Sequence, residues 1–397
     1  MIASRPIVKI RPGKGKRLAE GAPWAFADEI AMDRRTKNVE PGCLVVLAEG
    51  DRVHGLAAFN GKSKIPARLL DPDPNAEIDT VWLANRLDRA LKLREALFDA
   101  PFYRLVHAEG DGLPGLVIDR FGEALVIQPN AAWVETRLES LIDTAADVTG
   151  CTTVVVNATS RARSLEGLVT YTRTARGALD GPVPVPMNGA VYLADLAEGQ
   201  KTGLFYDQRP NHAFAAQLAA GKHVLDVFSH VGGFALATLA GGAASALSVD
   251  SSAPALDLAL GGATAMGAQD RFEIHQSDAF KALENLANDG RKFDIVVCDP
   301  PAFAPNKASL PQGLRAYQRV ARLSAPLVSA GGWLILCSCS HAADPESFGR
   351  ACANGIRTSD RAAQLVHSGR AGPDHPQHPY LAENSYLKAL FFRMQDG

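Results

Sequence analysis

No stretch of this 397-residue chain reaches the ~18 uninterrupted apolar residues that a membrane-spanning helix needs. The first residues, MIASRPIVKIRPGKGKR, carry too much charge for a signal peptide. A cytoplasmic protein with no membrane partner is therefore expected. Cysteine is scarce: Cys43, Cys151, Cys298, Cys337, Cys339 and Cys352 include no CxxC pair and no regular spacing. That argues against a disulfide framework and against a zinc site, and leaves room for a thiol with a chemical role. Net charge is also small, −2, which on its face disfavours a nucleic-acid partner. The distribution reverses that reading, because residues 1–70 carry +6 and the remainder −8. Arg5, Lys9, Arg11, Lys14, Lys16 and Arg17 fall in the first 17 residues with no acidic residue among them. A basic module on an acidic body can still grip phosphates, although a solvated surface gives the same pattern.

There is no internal repeat, no low-complexity tract and no strict GxGxxG string. With 47% hydrophobic and 21% charged residues, the chain has the balance of ordinary globular domains. At ~150 residues per domain its length suggests two or three of them. Around the stretch Lys222–Asp250 the pattern is sharpest. His223–Phe228 is a short apolar run, followed by a Ser/Gly break at Ser229–Gly233, an Ala/Leu-rich helical segment, and a second run at Ala246–Val249. Gly232 and Gly233 allow a tight turn and a ligand close to the peptide groups at a helix start. Asp250 follows the second run, where a doubly wound sheet carries the carboxylate that holds ribose hydroxyls. Any βαβ unit with a glycine turn would share these features.

The remaining chain divides around that stretch. Residues 1–72 hold short alternating runs (Ile7–Ile10, Cys43–Leu47, Gly55–Phe59, Ala67–Leu70) separated by Pro and Gly, which predicts a small β-rich barrel. DPDPNA at 71–76 reads as a linker. Residues 73–187 predict a central α+β domain, with a helix over Thr80–Phe98, strands at Tyr103–Ala108, Leu116–Asp119, Ala124–Gln128 and Thr153–Asn157, and one helix over Ala132–Thr149. GPVPVP (181–186) reads as a stiff lead-in to a strand at Ala190–Ala194. Residues 188–397 predict an α/β domain with further strands at Arg271–Gln276, Phe293–Cys298, Trp333–Ser338 and Tyr386–Met394. GLFYDQRPN (203–211) places Asp207 and Arg209 before a helix at Ala213–Ala219. A helix start with an Arg close by can hold a carboxylate or phosphate, and equally an ordinary cap.

In an open parallel sheet ligands bind at the C-terminal strand edge, so Asp250, Asp278, Asp299 and Cys339 are expected to converge on one cleft. Asp299-Pro300-Pro301-Ala302-Phe303 adds a specific signal. The prolines Pro300 and Pro301 fix an extended backbone that offers carbonyls and no donors. Phe303 offers a ring on which a planar heterocycle can stack, with its exocyclic amine donating to Asp299. A base taken from a polynucleotide would have to be unstacked to reach such a site.

GLFYDQR, VLDVFSHVGGFALATLAGGA, SVDSS, DPPAF and SCS, in this order, resemble the class I S-adenosylmethionine-dependent RNA methyltransferases. Closer still is the similarity to the ribosomal RNA large-subunit methyltransferase I family, which methylates carbon 5 of a cytosine in 23S rRNA. RPGKGKRLAEGAPWAFADEI resembles that family's PUA domain, and EGDGLPGLVIDRFG with LEGL its central domain. The resemblance covers nearly the whole chain. It implies a Rossmann-like catalytic sheet and 23S rRNA, or its large-subunit precursor, as partner. Asp250 is implied on the ribose hydroxyls, Asp278 near the adenine amine, and Phe228, Ser229, Gly232 and Gly233 on the methionine portion. Ser251, Asp207 and Arg209 belong to the same cofactor set. No metal is implied, since the sulfonium is already an activated methyl donor. The family usually has Lys where this chain has Ala302, which puts in doubt any role of that Lys toward RNA.

Cys339 aligns with the family's SCS motif and is implied as the nucleophile that adds to carbon 6, for which a thiolate is suited as nucleophile and leaving group. Cys337 lies two residues away, and Cys298 is expected in the core. Asp299 would bond the cytosine amine or ring nitrogen and supply a proton as the adduct forms. Water or His341 would take the carbon-5 proton. Three alternatives stand beside this reading: the same fold methylating a guanine nitrogen, a nicotinamide-dependent dehydrogenase, and a non-catalytic RNA-binding assembly factor. An exposed edge strand also leaves room for a homodimer.

Overall fold

The computed structural model describes residues 5–197, 203–381 and 385–395. Two units emerge: one of Met1–Gly181, Leu196–Gly203 and Pro373–Asn384, the other of Pro182–Asp195, Leu204–Gly372 and Ser385–Gly397.

The first unit holds two sheets. Strands β1 (Ile7–Lys9), β2 (Trp24–Ala25), β3 (Cys43–Glu49), β4 (Arg52–Phe59) and β5 (Ala67–Asp71) form the order β1-β3-β4-β5-β2. Their inward residues Val8, Val45, Leu47, Ala57, Phe59 and Ala67 form one core. The second sheet runs β10-β9-β8-β7-β6 from β6 (Phe102–His107), β7 (Leu116–Phe121), β8 (Ala124–Pro129), β9 (Thr153–Ala158) and β10 (Tyr171–Arg176). The helices Thr80–Glu95 and Leu138–Thr149 bury Leu83, Leu87, Leu141 and Ile142 in this sheet's core. The single helix expected over Ala132–Thr149 is two, Ala132–Glu135 and Leu138–Thr149, with Thr136 and Arg137 between them. The segment read as a linker is fastened at its start, since Asp71 accepts Trp82 Nε1 (2.9 Å) and Arg86 (3.1 Å).

In the second unit, β11 (Val183–Met187) and β12 (Ala190–Ala194) make a two-stranded ribbon. The proline-rich lead-in is thus a strand. Pro184 and Pro186 face outward and Val185 and Met187 inward, and an edge strand can spare the missing donors. The main sheet has seven strands: β13 (His223–Val227), β14 (Ser245–Asp250), β15 (Phe272–Gln276), β16 (Phe293–Cys298), β17 (Val328–Ser338), β18 (Ala363–Gly369) and β19 (Lys388–Met394). Their order is β15-β14-β13-β16-β17-β19-β18, with β13 to β17 parallel and β19 antiparallel to both of its neighbours. The strand order reverses beside β13, which pairs with both β14 and β16. That is the position where a doubly wound sheet opens a crevice at its C-terminal edge. No helix of the described residues is long and apolar enough to cross a membrane.

Candidate active site

The turn after β13 is the centre of the crevice. Phe228 (φ +62°) and His230 (φ +49°) adopt left-handed backbone conformations that bulky residues rarely enter, and Gly232 (φ +79°) joins them. The turn is pinned by Ser229 N–H to Val249 O (3.1 Å) and His230 N–H to Asp250 Oδ2 (2.9 Å). Asp250 also accepts the Ser252 amide at Oδ1 (2.9 Å), so its half-exposed carboxylate is held at the tip of β14 by two backbone donors. Such over-determined strain is characteristic of ligand sites.

Gly233 opens the helix Gly233–Ala240, and a Cβ there would lie 2.9 Å from His212 Nε2. The absent side chain of Gly233 therefore makes room for the imidazole of His212 on that side of the helix start. Burial pushes His212 down to about 3, so the ring is neutral. Among the described residues its Nδ1 is buried with no partner, as are Asp207 Oδ1, Asn211 Oδ1, Asp226 Oδ1, Ser229 Oγ and Ser248 Oγ. Each such atom costs about 1–3 kcal/mol unless a ligand or water completes it. These residues lie on β13, β14, the turn, and the segment around the helix Arg209–Gln217. A polar ligand rich in hydrogen-bonding groups fits them.

Asp226, inside β13, was not singled out from sequence, where it is only one acid in an apolar run. Its Oδ2 accepts the Ala235 amide (2.9 Å). Burial raises its pKa to about 8, the Ala235 amide opposes the shift, and the charges of Asp299 and Asp250 add to it. Asp207 is buried and accepts the Tyr386 hydroxyl at Oδ2 (2.6 Å). Arg209 starts its helix with the guanidinium over the Tyr206 ring (5.4 Å). Asp278 is exposed and caps the helix Ala279–Asn288 through the Lys281 amide (3.0 Å), and Ser251 is exposed beside Asp250.

Asp299 follows β16. Its amide donates to Val227 O (3.2 Å) and its Oδ2 accepts Gln208 Nε2 (2.9 Å). Gln208 is itself oriented, since its Oε1 accepts Asn211 Nδ2 (2.6 Å). Pro300 is buried, while Pro301 and Ala302 are exposed. Phe303 is half-buried in an aromatic group, with ring centroids 5.0 Å from Tyr317 and 6.3 Å from both Phe228 and Phe280.

β17 ends at Ser338, and Cys339 follows, half-exposed. Cys337 and Cys298 are buried. Burial raises the Cys298 thiol to about 12 and the Cys337 thiol well above its ordinary value, with the charge of Asp299 adding to both. Of the three thiols at this edge, Cys339 alone is accessible to a substrate.

A hydroxyl network joins the DPPAF loop to the end of β17. Ser338 Oγ donates to Tyr317 Oη (2.9 Å), Tyr317 Oη and Ser340 Oγ are 2.7 Å apart, and Ala304 N–H donates to Ser340 Oγ (2.9 Å). Tyr317→Phe strips this buried network of its centre and is expected to lower stability by about 1–3 kcal/mol. Denaturant unfolding checks this, and an unchanged midpoint would show that the two loops are not joined through Tyr317.

Residues 151–393 match a family model described as S-adenosylmethionine-dependent methyltransferase, and residues 8–72 one described as a PUA-like domain. Ribosomal RNA large subunit methyltransferase I of Shewanella denitrificans is 33% identical over 98% of this chain and 99% of its own. The protein of the same name from Alteromonas mediterranea is 32% identical with the same coverage. Among solved structures, a SAM-dependent methyltransferase from Streptococcus mutans aligns with a TM-score of 0.82 at 19% identity, over 97% of this chain and 100% of that one. A second, a methyltransferase complexed with SAH, gives 0.84 at 19% identity over 98% and 100%. At that identity the structural likeness carries the fold.

Proposed function

The chain belongs to the S-adenosylmethionine-dependent ribosomal RNA large-subunit methyltransferase I family, and from that premise we propose that it methylates carbon 5 of a cytosine in 23S rRNA through a covalent adduct with Cys339. The observation that carries this reading is an accessible thiol at the end of β17 beside a carboxylate at the end of β16, with the other two thiols of the edge buried. The names of the relatives support ribosomal RNA as the substrate. The net positive charge of residues 1–70 supports an RNA-binding role for the PUA-like segment.

When bound, S-adenosylmethionine supplies an activated methyl group. Asp226, Asp250, Ser229 and the turn Phe228–Gly233 would hold it, together with Asp207, whose buried Oδ1 has no partner among the described residues. The family resemblance supports Asp278 and Ser251 as further members of this set, with Arg209 near the helix start. Pro300, Pro301 and Phe303 would hold the unstacked base. The Cys339 thiolate forms the bond to carbon 6, and the displaced π pair makes carbon 5 nucleophilic as Asp299 delivers a proton to the ring. After carbon 5 takes the methyl group, water or His341 takes the carbon-5 proton, the freed pair restores the 5,6 double bond and expels the thiolate, and the ring returns its added proton to Asp299.

Asp226 makes the cofactor step pH-dependent. With its pKa near 8 in the free protein, it is largely protonated at pH 7. A ligand bearing an ammonium and a sulfonium favours the carboxylate, so binding drives the proton off. Affinity then rises with pH up to about 8 and levels above it. Calorimetry in buffers of different ionisation enthalpy is expected to show about one proton released at pH 7, and none in Asp226→Asn. Equal proton counts in the two proteins would remove Asp226 from the cofactor site.

The reaction itself is tested with labelled S-adenosylmethionine and rRNA from cells that do not contain the protein. After digestion the label is expected in 5-methylcytidine. Label in a guanine would keep the family and overturn the target atom.

A further inference from the structure

The start of β19 carries a group that neither the family resemblance nor the expected reaction uses. Lys388 is a lysine only 6% exposed, pairing in register with Ser338 across β17 and β19. Its Nζ donates to Ser340 O (2.7 Å) and Ala343 O (2.8 Å), the carbonyls that bracket the loop just after Cys339. Buried ammonium groups are normally paired with an anion. Among the described residues no carboxylate forms an ion pair with this one; the charges acting on it are those of Cys339 and Asp344. Asp344 is committed elsewhere. It caps the helix Pro345–Arg357, with Oδ1 accepting Ser347 N–H (2.8 Å) and Oδ2 the Ser347 hydroxyl (2.7 Å).

We propose that Lys388 is a positioning residue that holds Cys339 as its thiolate, its buried ammonium serving as the counter-ion of the sulfur. The inference rests on the reading of Cys339 as the nucleophile and supplies what that reading leaves open, the source of the thiolate. A cation beside a thiol favours deprotonation, and its effect is large where water is excluded. The two carbonyl bonds fix the ammonium, so the charge cannot swing into solvent. Burial lowers Lys388 to about 8, with Cys339 and Asp344 opposing, so below that pH the ammonium is present. Among the described residues, other titratable groups near this edge include Tyr317, which also feels the Cys339 charge, the buried Cys337 on the paired strand, Asp299, and His341, whose ring lies 5.2 Å from that of Tyr386. Tyr317 is pushed up by burial and stays neutral, so it brings no competing charge.

A purely structural lysine would need only its two carbonyl bonds. The two roles separate in the rate of Cys339 alkylation by iodoacetamide against pH, read by peptide mass spectrometry so that exposed Cys43 does not interfere. In the wild-type protein the inflection is expected below the ordinary thiol value of about 8.5. In Lys388→Met it is expected to move up by about one unit or more. Methyl transfer at neutral pH should fall in the variant and recover in part as the pH is raised, with KM for S-adenosylmethionine unchanged. A wild-type inflection at or above the ordinary value overturns the inference whether or not the variant folds. So does a variant whose Cys339 profile does not move. Because alkylation is read without turnover, failure here is distinct from failure of the nucleophile assignment, which Cys339→Ala tests separately.

Discussion

Replacing Cys339 by alanine is expected to leave S-adenosylmethionine binding intact and to slow methyl transfer on the order of 10³-fold or more, as removal of a covalent nucleophile does. Carbon 5 of cytosine is too weak a nucleophile to take a methyl group unless carbon 6 is first attacked. Neither neighbouring thiol can replace the missing one. Cys337 is held by the pairing of β17 with β19 and buried at 1% exposure, and Cys298 is buried at 0% within β16. Burial raises both thiols, so neither supplies a thiolate near neutral pH. The alanine variant should fold, because Cys339 lies just past the strand end and is half-exposed. Single-turnover methylation with saturating cofactor measures the loss. A change of less than about tenfold would mean that no thiolate adduct lies on the path.

Asp299→Asn is expected to cost about 10²–10⁴-fold in kcat, the range associated with a positioned general acid or base. The reason lies in how the side chain is held. Gln208 cannot rotate its amide, because its oxygen is taken by Asn211 and its nitrogen therefore faces Asp299 Oδ2. An asparagine at 299 must turn its own oxygen toward Gln208 and its amide nitrogen toward the substrate. That places a donor against the cytosine amine and removes the transferable proton. The main-chain bond to Val227 O and the rigid Pro300-Pro301 backbone keep the loop in place, so the effect should fall on kcat more than on the KM for RNA. A loss confined to KM would make Asp299 a binding group and move the proton donor elsewhere.

Much of the catalytic domain was legible in the sequence. Continuous apolar runs bounded by Gly, Pro or Asp located β13, β14, β15 and β16 to within a residue or two, and Phe293–Cys298 coincides with β16. What escaped had a physical reason in each case. β18 is an edge strand whose Leu365 and Val366 face outward, so AQLVHSG shows no core-facing alternation. β11 was hidden by prolines that only an edge ribbon tolerates. Thr136 and Arg137 interrupt a helical pattern without a Gly or Pro to announce it. Within the proposed site, the strand-end position of Asp250 and Asp299 could be read because position along the chain fixes their place on the edge. Gln208, Asn211, Asp226 and Lys388 could not. Their meaning depends on burial and on which group faces them, and a lysine at a strand start ordinarily reads as a solvated charge. Asp278, conspicuous in sequence, is an exposed helix cap in the fold.

The proposed reaction turns on a thiolate of this chain bonding to carbon 6 of a cytosine. The most direct measurement offers the protein S-adenosylmethionine and rRNA carrying 5-fluorocytidine. Fluorine cannot leave carbon 5 as the proton does, so once the methyl group has been transferred the sulfur–carbon bond has no way to break. A cofactor-dependent RNA–protein complex that survives denaturation is predicted, with the nucleotide on the peptide containing Cys339 and no complex from Cys339→Ala. Methylation of ordinary rRNA without any such complex, or a complex that persists in Cys339→Ala, would contradict it.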